Sequence, residues 1–292
     1  MSKAETGYLN SNGVKLRYEV EGQGEPLVLL NGGPGFSHEY LQELRALSKY
    51  ARLVFFDQRG TGKSDKADPS TYTIDANVAD VENIRRSLNL GKCILFGHSW
   101  GGMLAQAYAL KYQGNISKLI LADTFSSIDD LNATLARMRA AVPESIRAIY
   151  ESYEREGLYK GRDAYPPEYQ KALDVAYESV QIGIPPPCYL TDMFAKVAYD
   201  VYRTMWGEQS EFRVTGTLAE FNVESRLGDI KIPTLVIVGG SDMPTVAMAQ
   251  KTARLIPNSR LEVFEHSRHY PFIEEKAKFV EVMRSFLELQ AL

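Results

Sequence analysis

The first 125 residues are patterned as short, wholly apolar runs separated by turn residues. Pro26–Leu30, Arg52–Phe56 and 93–96 are each four or five residues of mostly branched or aromatic side chains, a length and composition that suit buried strands better than helices. Each run gives way to a glycine-rich or charged loop. Between the second and third, Ile74, Val78, Val81, Ile84 and Leu88 recur at spacings of three and four, which predicts a helix over 75–88 that stops near Gly91. A further apolar run spans 118–122. Strand, helix and strand in regular succession predict a mostly parallel sheet flanked by helices, because parallel neighbours require long crossovers.

The pattern then changes for about a hundred residues. From 126 to 226 no strand-like run recurs, and the chain is rich in Tyr, Arg, Glu and Ala, with helical stretches at 131–141, 144–156, 167–179 and 190–206. Ile232-Pro233 then leads into a β-branched run at 234–238, a helix at 246–255, a strand at 261–264 and a last helix at 274–289. This organisation predicts an α/β core formed by 1–124 and 228–292, split by an inserted helical cap at 125–227. No internal repeat is evident.

Composition narrows the function classes. The 292 residues are 45% hydrophobic and 24% charged, with a formal net charge of -4, the profile of an ordinary globular chain. Without a basic excess there is no electrostatic reason to expect nucleic acid or an anionic membrane as a partner. The first twenty residues are polar and charged, so no secretory leader and a cytoplasmic location are expected. The uncharged stretch 93–110 has the length of a membrane span but is interrupted by Gly97, His98, Ser99, Gly101, Gly102 and Gln106, and reads as buried core. Two cysteines, Cys93 and Cys188, offer no metal-type spacing and no expected disulfide.

The chemistry concentrates in glycine loops. Gly97-His98-Ser99-Trp100-Gly101 sits between the 93–96 strand and a helical run at 103–112, the context in which a Gly-x-Ser-x-Gly turn forces a serine hydroxyl into the open. A serine is a weak nucleophile without a base, and there are four histidines. His98 is expected to point away on the far side of the turn, and His38 follows the early glycine loop. The chain order serine, acid, histidine leaves His266 and His269; His269, in the loop between the last strand and the last helix, is the expected base. Asp242 follows the 234–238 strand and is the expected acid, with Asp123, at the end of the 118–122 strand, as its competitor. The loop Asn31-Gly32-Gly33-Pro34-Gly35 supplies an expected oxyanion donor at Gly33, paired with the amide of Trp100, since Pro34 has no amide hydrogen. Gly60-Thr61-Gly62-Lys63-Ser64 is not a phosphate loop, because Asp57 stands where the first glycine is needed. Asp57 and Arg59 are expected to tie loops together instead. The reaction needs neither metal nor organic cofactor.

Together, Asn31-Gly32-Gly33-Pro34-Gly35, Asp57-Gln58-Arg59-Gly60 with Gly62 and Ser64, and Gly97-His98-Ser99-Trp100-Gly101-Gly102 resemble the proline iminopeptidase family of α/β-hydrolases. The resemblance implies a serine hydrolase that cleaves an amide bond next to an N-terminal amino acid through an acyl-enzyme, acting on a short peptide or small amide. It also places Asp242 and His269 at that family's triad positions and likens Glu211 to the cap acid that holds the substrate's free amino group. Met243 stands where the family often has a second acid, and Asn31 where it has a histidine. The alternative reading is an esterase or amidase of small molecules that carry no amino acid. Tyr150, Tyr153, Tyr165, Tyr169, Tyr189, Tyr199 and Tyr202 are expected either to wall a pocket or to pack in a core.

Overall fold

A computed structural model describes residues 4–160 and 163–288. The apolar runs form the strands β3 (Pro26–Leu30), β4 (Arg52–Phe56), β5 (Cys93–His98), β6 (Ile116–Ala122), β7 (Thr234–Gly239) and β8 (Ser259–Phe264). Ahead of them lies a hairpin that the apolar pattern did not predict, β1 (Glu5–Ser11) and β2 (Val14–Glu21). Its outer strand is mostly exposed and polar, so no hydrophobic run marks it. The signal that was present is the turn: Asn12 and Gly13 both take positive φ, +51° and +86°, as a two-residue Asn-Gly hairpin loop requires.

The eight strands make one sheet in the order β1-β2-β4-β3-β5-β6-β7-β8. β1 and β2 pair antiparallel, β2 pairs antiparallel with β4, and the rest are parallel. Alternate side chains of β3, β4 and β5 feed two different cores: Val28, Leu30, Val54, Phe56 and Leu95 on one face, Leu27, Leu29, Leu53, Phe55, Ile94 and Phe96 on the other. Burial on both faces explains why these strands read as unbroken apolar runs instead of alternating ones.

Helix α1 (Ile74–Ser87) and α2 (Trp100–Tyr112) pack against the first face. Between β6 and β7, α3 (Ile128–Ala141), α4 (Glu144–Glu156), α5 (Pro167–Tyr177), α6 (Cys188–Ala195) and α7 (Tyr199–Met205) follow one another. The single helix expected over 190–206 is thus two, broken at Lys196, which closes the first in a non-helical conformation. After β7 come α8 (Val246–Leu255), the one-turn α9 (Pro271–Glu274) and α10 (Lys276–Glu288); residue 289, the expected end of the last helix, lies outside the described residues. A 3₁₀ segment, His38–Lys49, was also not anticipated. Its Tyr40, Leu41, Leu44 and Leu47 cover the second face of the sheet. Among the described residues no helix is long and apolar enough to cross a membrane.

The Asp57–Ser64 loop does tie neighbouring segments together. Asp57 accepts the His38 amide at 3.1 Å, His38 Nδ1 at 2.8 Å and the Lys63 amide at 2.8 Å. Arg59 forks onto Asp80 of α1 through Nε at 2.7 Å and Nη2 at 2.8 Å, and Asp80 also accepts the Ser11 hydroxyl from β1. Both members of the ion pair are buried. Removing one partner would strand the other charge in the interior. Asp80→Ala is therefore expected to lower stability by about 3–5 kcal/mol, read as a fall in the urea midpoint at unchanged m-value.

Candidate active site

The carboxyl ends of the parallel strands place the candidate residues. At the end of β5 the chain turns sharply through Ser99, which takes φ +56°, ψ -124° before α2 begins. So unusual a conformation for a non-glycine residue must be imposed by its surroundings. The Ser99 amide donates to the Ala122 carbonyl at 2.9 Å, and its own carbonyl accepts the Gly102 amide at 2.8 Å and the Thr124 hydroxyl at 2.7 Å. Glycine is required beside it: a Cβ on Gly97 would lie 2.2 Å from the Gly101 carbonyl oxygen, and one on Gly101 would lie 2.2 Å from that of Leu30.

Two later loops meet at the same edge. His269, beyond β8, joins its Nδ1 to Asp242 Oδ1, beyond β7, at 2.8 Å. That oxygen also accepts the Met243 amide at 2.5 Å. With Nδ1 engaged, Nε2 is the ring nitrogen left for a reacting group, and Ser99 and His269 line one cavity. Burial pushes the His269 pKa down to about 4, against an upward pull from Glu274. The imidazole is therefore neutral at pH 7 and able to accept a proton. His266, the other histidine of this region, is exposed and takes no part in the pairing.

His98 is not among the residues that line the cavity with Ser99 and His269. Its ring is tied elsewhere: Nε2 bonds the main-chain carbonyl of His269 at 2.8 Å, and Nδ1 bonds the Tyr40 hydroxyl at 2.8 Å. The Tyr40 oxygen accepts the Gly32 amide at 2.5 Å. Its hydroxyl hydrogen therefore goes to His98 Nδ1, and His98 Nε2–H donates to His269. Burial holds this ring neutral. A local reading could not see this, because both partners come from other parts of the chain.

The early glycine loop is anchored in the same way. Gly32 gives its amide to Tyr40, while neither the Gly33 amide nor the Trp100 amide has an acceptor among the described residues. Trp100 is the first residue of α2, where amides have no partner within the helix. Trp100 Nε1 donates to Gln58 Oε1 at 2.7 Å, and Gln58 Nε2 donates to the Asn31 carbonyl at 2.9 Å. Gln58 thus bridges the two segments that carry the open amides. Sequence reasoning passed over it, although it lies inside the Asp57–Gly60 motif.

Above these ends, residues of α5, α7 and their connections close a cavity of about 580 Å³, within the range that holds a small organic ligand. Gly33, Ser99, Trp100, Met243, His269 and Glu211 all line it. Glu211 is buried and accepts from the hydroxyls of Tyr165 at 2.5 Å, Tyr177 at 2.8 Å and Tyr202 at 2.7 Å. Burial pushes its pKa up, and the tyrosine hydrogen bonds pull it down. No Lys or Arg is among the described residues that line the cavity, whereas Asp174 is a second acid on its wall. Tyr165, Tyr199 and Tyr202 do line the cavity, whereas Tyr150, Tyr153, Tyr169 and Tyr189 do not. Among the described residues no group of three His, Cys, Asp or Glu side chains could hold a metal ion.

Comparison with known proteins agrees with this architecture. The family profile of the α/β hydrolase fold matches residues 25–276. A proline iminopeptidase of Saccharolobus solfataricus is 36% identical over 97% of this chain and 92% of its own length. Among solved structures, VinJ superposes with a TM-score of 0.88 at 32% identity, covering 97% of this chain and 98% of its own. A proline iminopeptidase of Mycobacterium smegmatis superposes with a TM-score of 0.83 at 27% identity, covering 97% of each chain. The chain therefore belongs to the proline iminopeptidase family of the α/β-hydrolase fold.

Proposed function

We propose that this protein is a serine aminopeptidase or amidase that cleaves the amide bond after an N-terminal residue, proline among them, with Ser99 as nucleophile, His269 as base and Asp242 as its orienting acid. One observation carries the reading: a buried, uncompensated carboxylate, Glu211, faces the same cavity as Ser99 and His269. A buried anion with no cationic partner is costly, and a substrate ammonium supplies the missing charge. The relatives' activity on N-terminal proline supports the same class of substrate.

In this mechanism Ser99 attacks the scissile carbonyl as His269 Nε2 takes its proton, and Asp242 holds the imidazole in the tautomer with its proton on Nδ1. The Gly33 and Trp100 amides receive the charge that develops on the carbonyl oxygen. His269 then gives its proton to the leaving amine, and water completes the cycle by the same steps in reverse order. Residues 125–227 act as the cap that screens the acyl-enzyme from bulk water. The substrate is a short peptide or small amide, and the location is cytoplasmic, in keeping with the free thiols of Cys93 and Cys188.

Ser99→Ala is expected to lower kcat on prolyl or other aminoacyl anilides by about 10⁴-fold or more and to abolish fluorophosphonate labelling; retained turnover would refute the assignment. Glu211→Gln keeps the volume and one acceptor oxygen for the tyrosines, replaces the other oxygen by an N–H donor, and removes the charge. It is expected to raise KM for free aminoacyl anilides by about ten- to a hundred-fold while leaving fluorophosphonate labelling unchanged; equal rates on free and N-acetylated substrates in the wild-type protein would instead favour a general esterase or amidase. Because only the neutral imidazole accepts the serine proton and its pKa is lowered to about 4, labelling should hold level from pH 8 down through 6.5 and fall only below that, reversing as pH is raised again. Loss of labelling with a midpoint above 6.5 would contradict it.

A further inference from the structure

The proposed reaction uses one oxygen of Asp242, Oδ1, which receives the His269 ring and the Met243 amide. Its other oxygen, Oδ2, is buried and has no donor. Asp123 has the same peculiarity. It lies at the end of β6, next to the end of β7, wholly buried, with its amide given to the Ile237 carbonyl at 2.9 Å and its Oδ1 accepting the Gly239 amide at 2.9 Å. Its Oδ2 is buried without a donor. The backbone holds Asp123 at φ +52°, a left-handed conformation that Asp and Asn tolerate better than most residues.

The two residues are anchored to the same residue at the end of β7, Asp123 Oδ1 taking the Gly239 amide and the Gly239 carbonyl taking the Asp242 amide at 3.4 Å, so the two buried carboxyl groups are neighbours, each with one oxygen lacking a donor. The ionisable groups that act on the pair are His269 beyond β8, Glu274 of α9, and Tyr40 and Tyr270; none brings a permanent positive charge. Two carboxylates in contact in such a site cannot both ionise.

We propose that Asp123 and Asp242 share one proton, carried on Asp123 Oδ2 and donated to Asp242 Oδ2, so that Asp123 is a positioning residue for the acid that orients His269. The inference rests on the reading of Ser99, His269 and Asp242 as the reacting set. The division of charge follows from the donors: Asp242 Oδ1 receives two and Asp123 Oδ1 receives one, so the anion settles on Asp242. Burial and the neighbouring carboxylate push Asp123 well above the ordinary carboxylate range. With its second oxygen occupied by an O–H, Asp242 cannot rotate away without stranding a buried acceptor, and His269 is held in line.

Two variants test this. Asp123→Asn keeps the left-handed backbone and offers an N–H donor in place of the O–H, whereas Asp123→Gly tolerates the backbone and offers nothing. The expected rate of fluorophosphonate labelling is within about threefold of wild type for Asp123→Asn and about ten- to a hundred-fold lower for Asp123→Gly. A wild-type minus Asp123→Asn infrared difference spectrum at neutral pH should show the C=O band of one protonated carboxyl group, a signature that a merely structural side chain would not give. An Asp123→Asn protein as slow as Asp123→Gly, an Asp123→Gly protein as fast as wild type, or absence of the band would overturn the inference. If Asp123→Gly does not fold, the Asn variant and the spectrum still decide it. A wild-type protein that resists the reagent would sink the reactive-serine reading, and the presence or absence of the band would then decide the shared proton separately.

Discussion

At the start of α2, Gly101 lies so close to the end of β3 that a methyl group on it would stand 2.2 Å from the Leu30 carbonyl oxygen. That approach of backbone to backbone brings the Ser99 turn close to the early glycine loop. Because the helix begins there, the Trp100 amide has no partner within it, Trp100 and Gly33 line the same cavity, and Ser99 is held at φ +56° between strand and helix. The main-chain bonds around Ser99, from its amide to Ala122 and from Gly102 and Thr124 to its carbonyl, lock the turn onto β6 as well. A side chain at either flanking glycine would force these segments apart.

On this fixed turn two polar chains align the neighbouring loops. Tyr40 and His98 connect the Gly32 amide to the main chain at His269, and Gln58 connects the Trp100 indole to Asn31. Every bond in them is buried, where an unpaired donor or acceptor would cost about 1–3 kcal/mol. Each chain therefore resists displacement of the loop it holds. The helical segment between β6 and β7 is joined to the same assembly, since the Gln181 carbonyl accepts the His269 amide at 3.2 Å.

The interior around the cavity is also biased toward negative charge. Glu211 is surrounded by tyrosine hydroxyls instead of cations, and Asp123 and Asp242 lie together beneath His269. Burial raises the pKa of these acids, and at Glu211 the tyrosine hydrogen bonds pull against it. At the Glu211 end of the cavity no Lys or Arg among the described lining residues offsets the acid, while Ser99, Gly33 and Trp100 also line the cavity.

Much of this was legible along the chain because it depends on local rules. Apolar runs of strand length identified β3, β4, β5, β6, β7 and β8, since strands buried on both faces carry no polar positions. The Gly-His-Ser-Trp-Gly turn, the strand-end positions of Asp242 and His269, and the glycine loop at 31–35 could be singled out because each needs a particular residue type at a particular joint. The β1–β2 hairpin was missed because an edge pair with one exposed side lacks an apolar signature, although Asn12-Gly13 marked its turn. The break between α6 and α7 fell inside one continuous apolar periodicity. What only the tertiary structure decided are the pairings between separate segments: Tyr40 with His98, Gln58 with Trp100, Asp123 beside Asp242, and Tyr165 from the connection before α5, Tyr177 of α5 and Tyr202 of α7 around Glu211. Local sequence determines which conformation a segment prefers, but a hydrogen bond between residues dozens of positions apart exists only once the fold has brought their segments side by side.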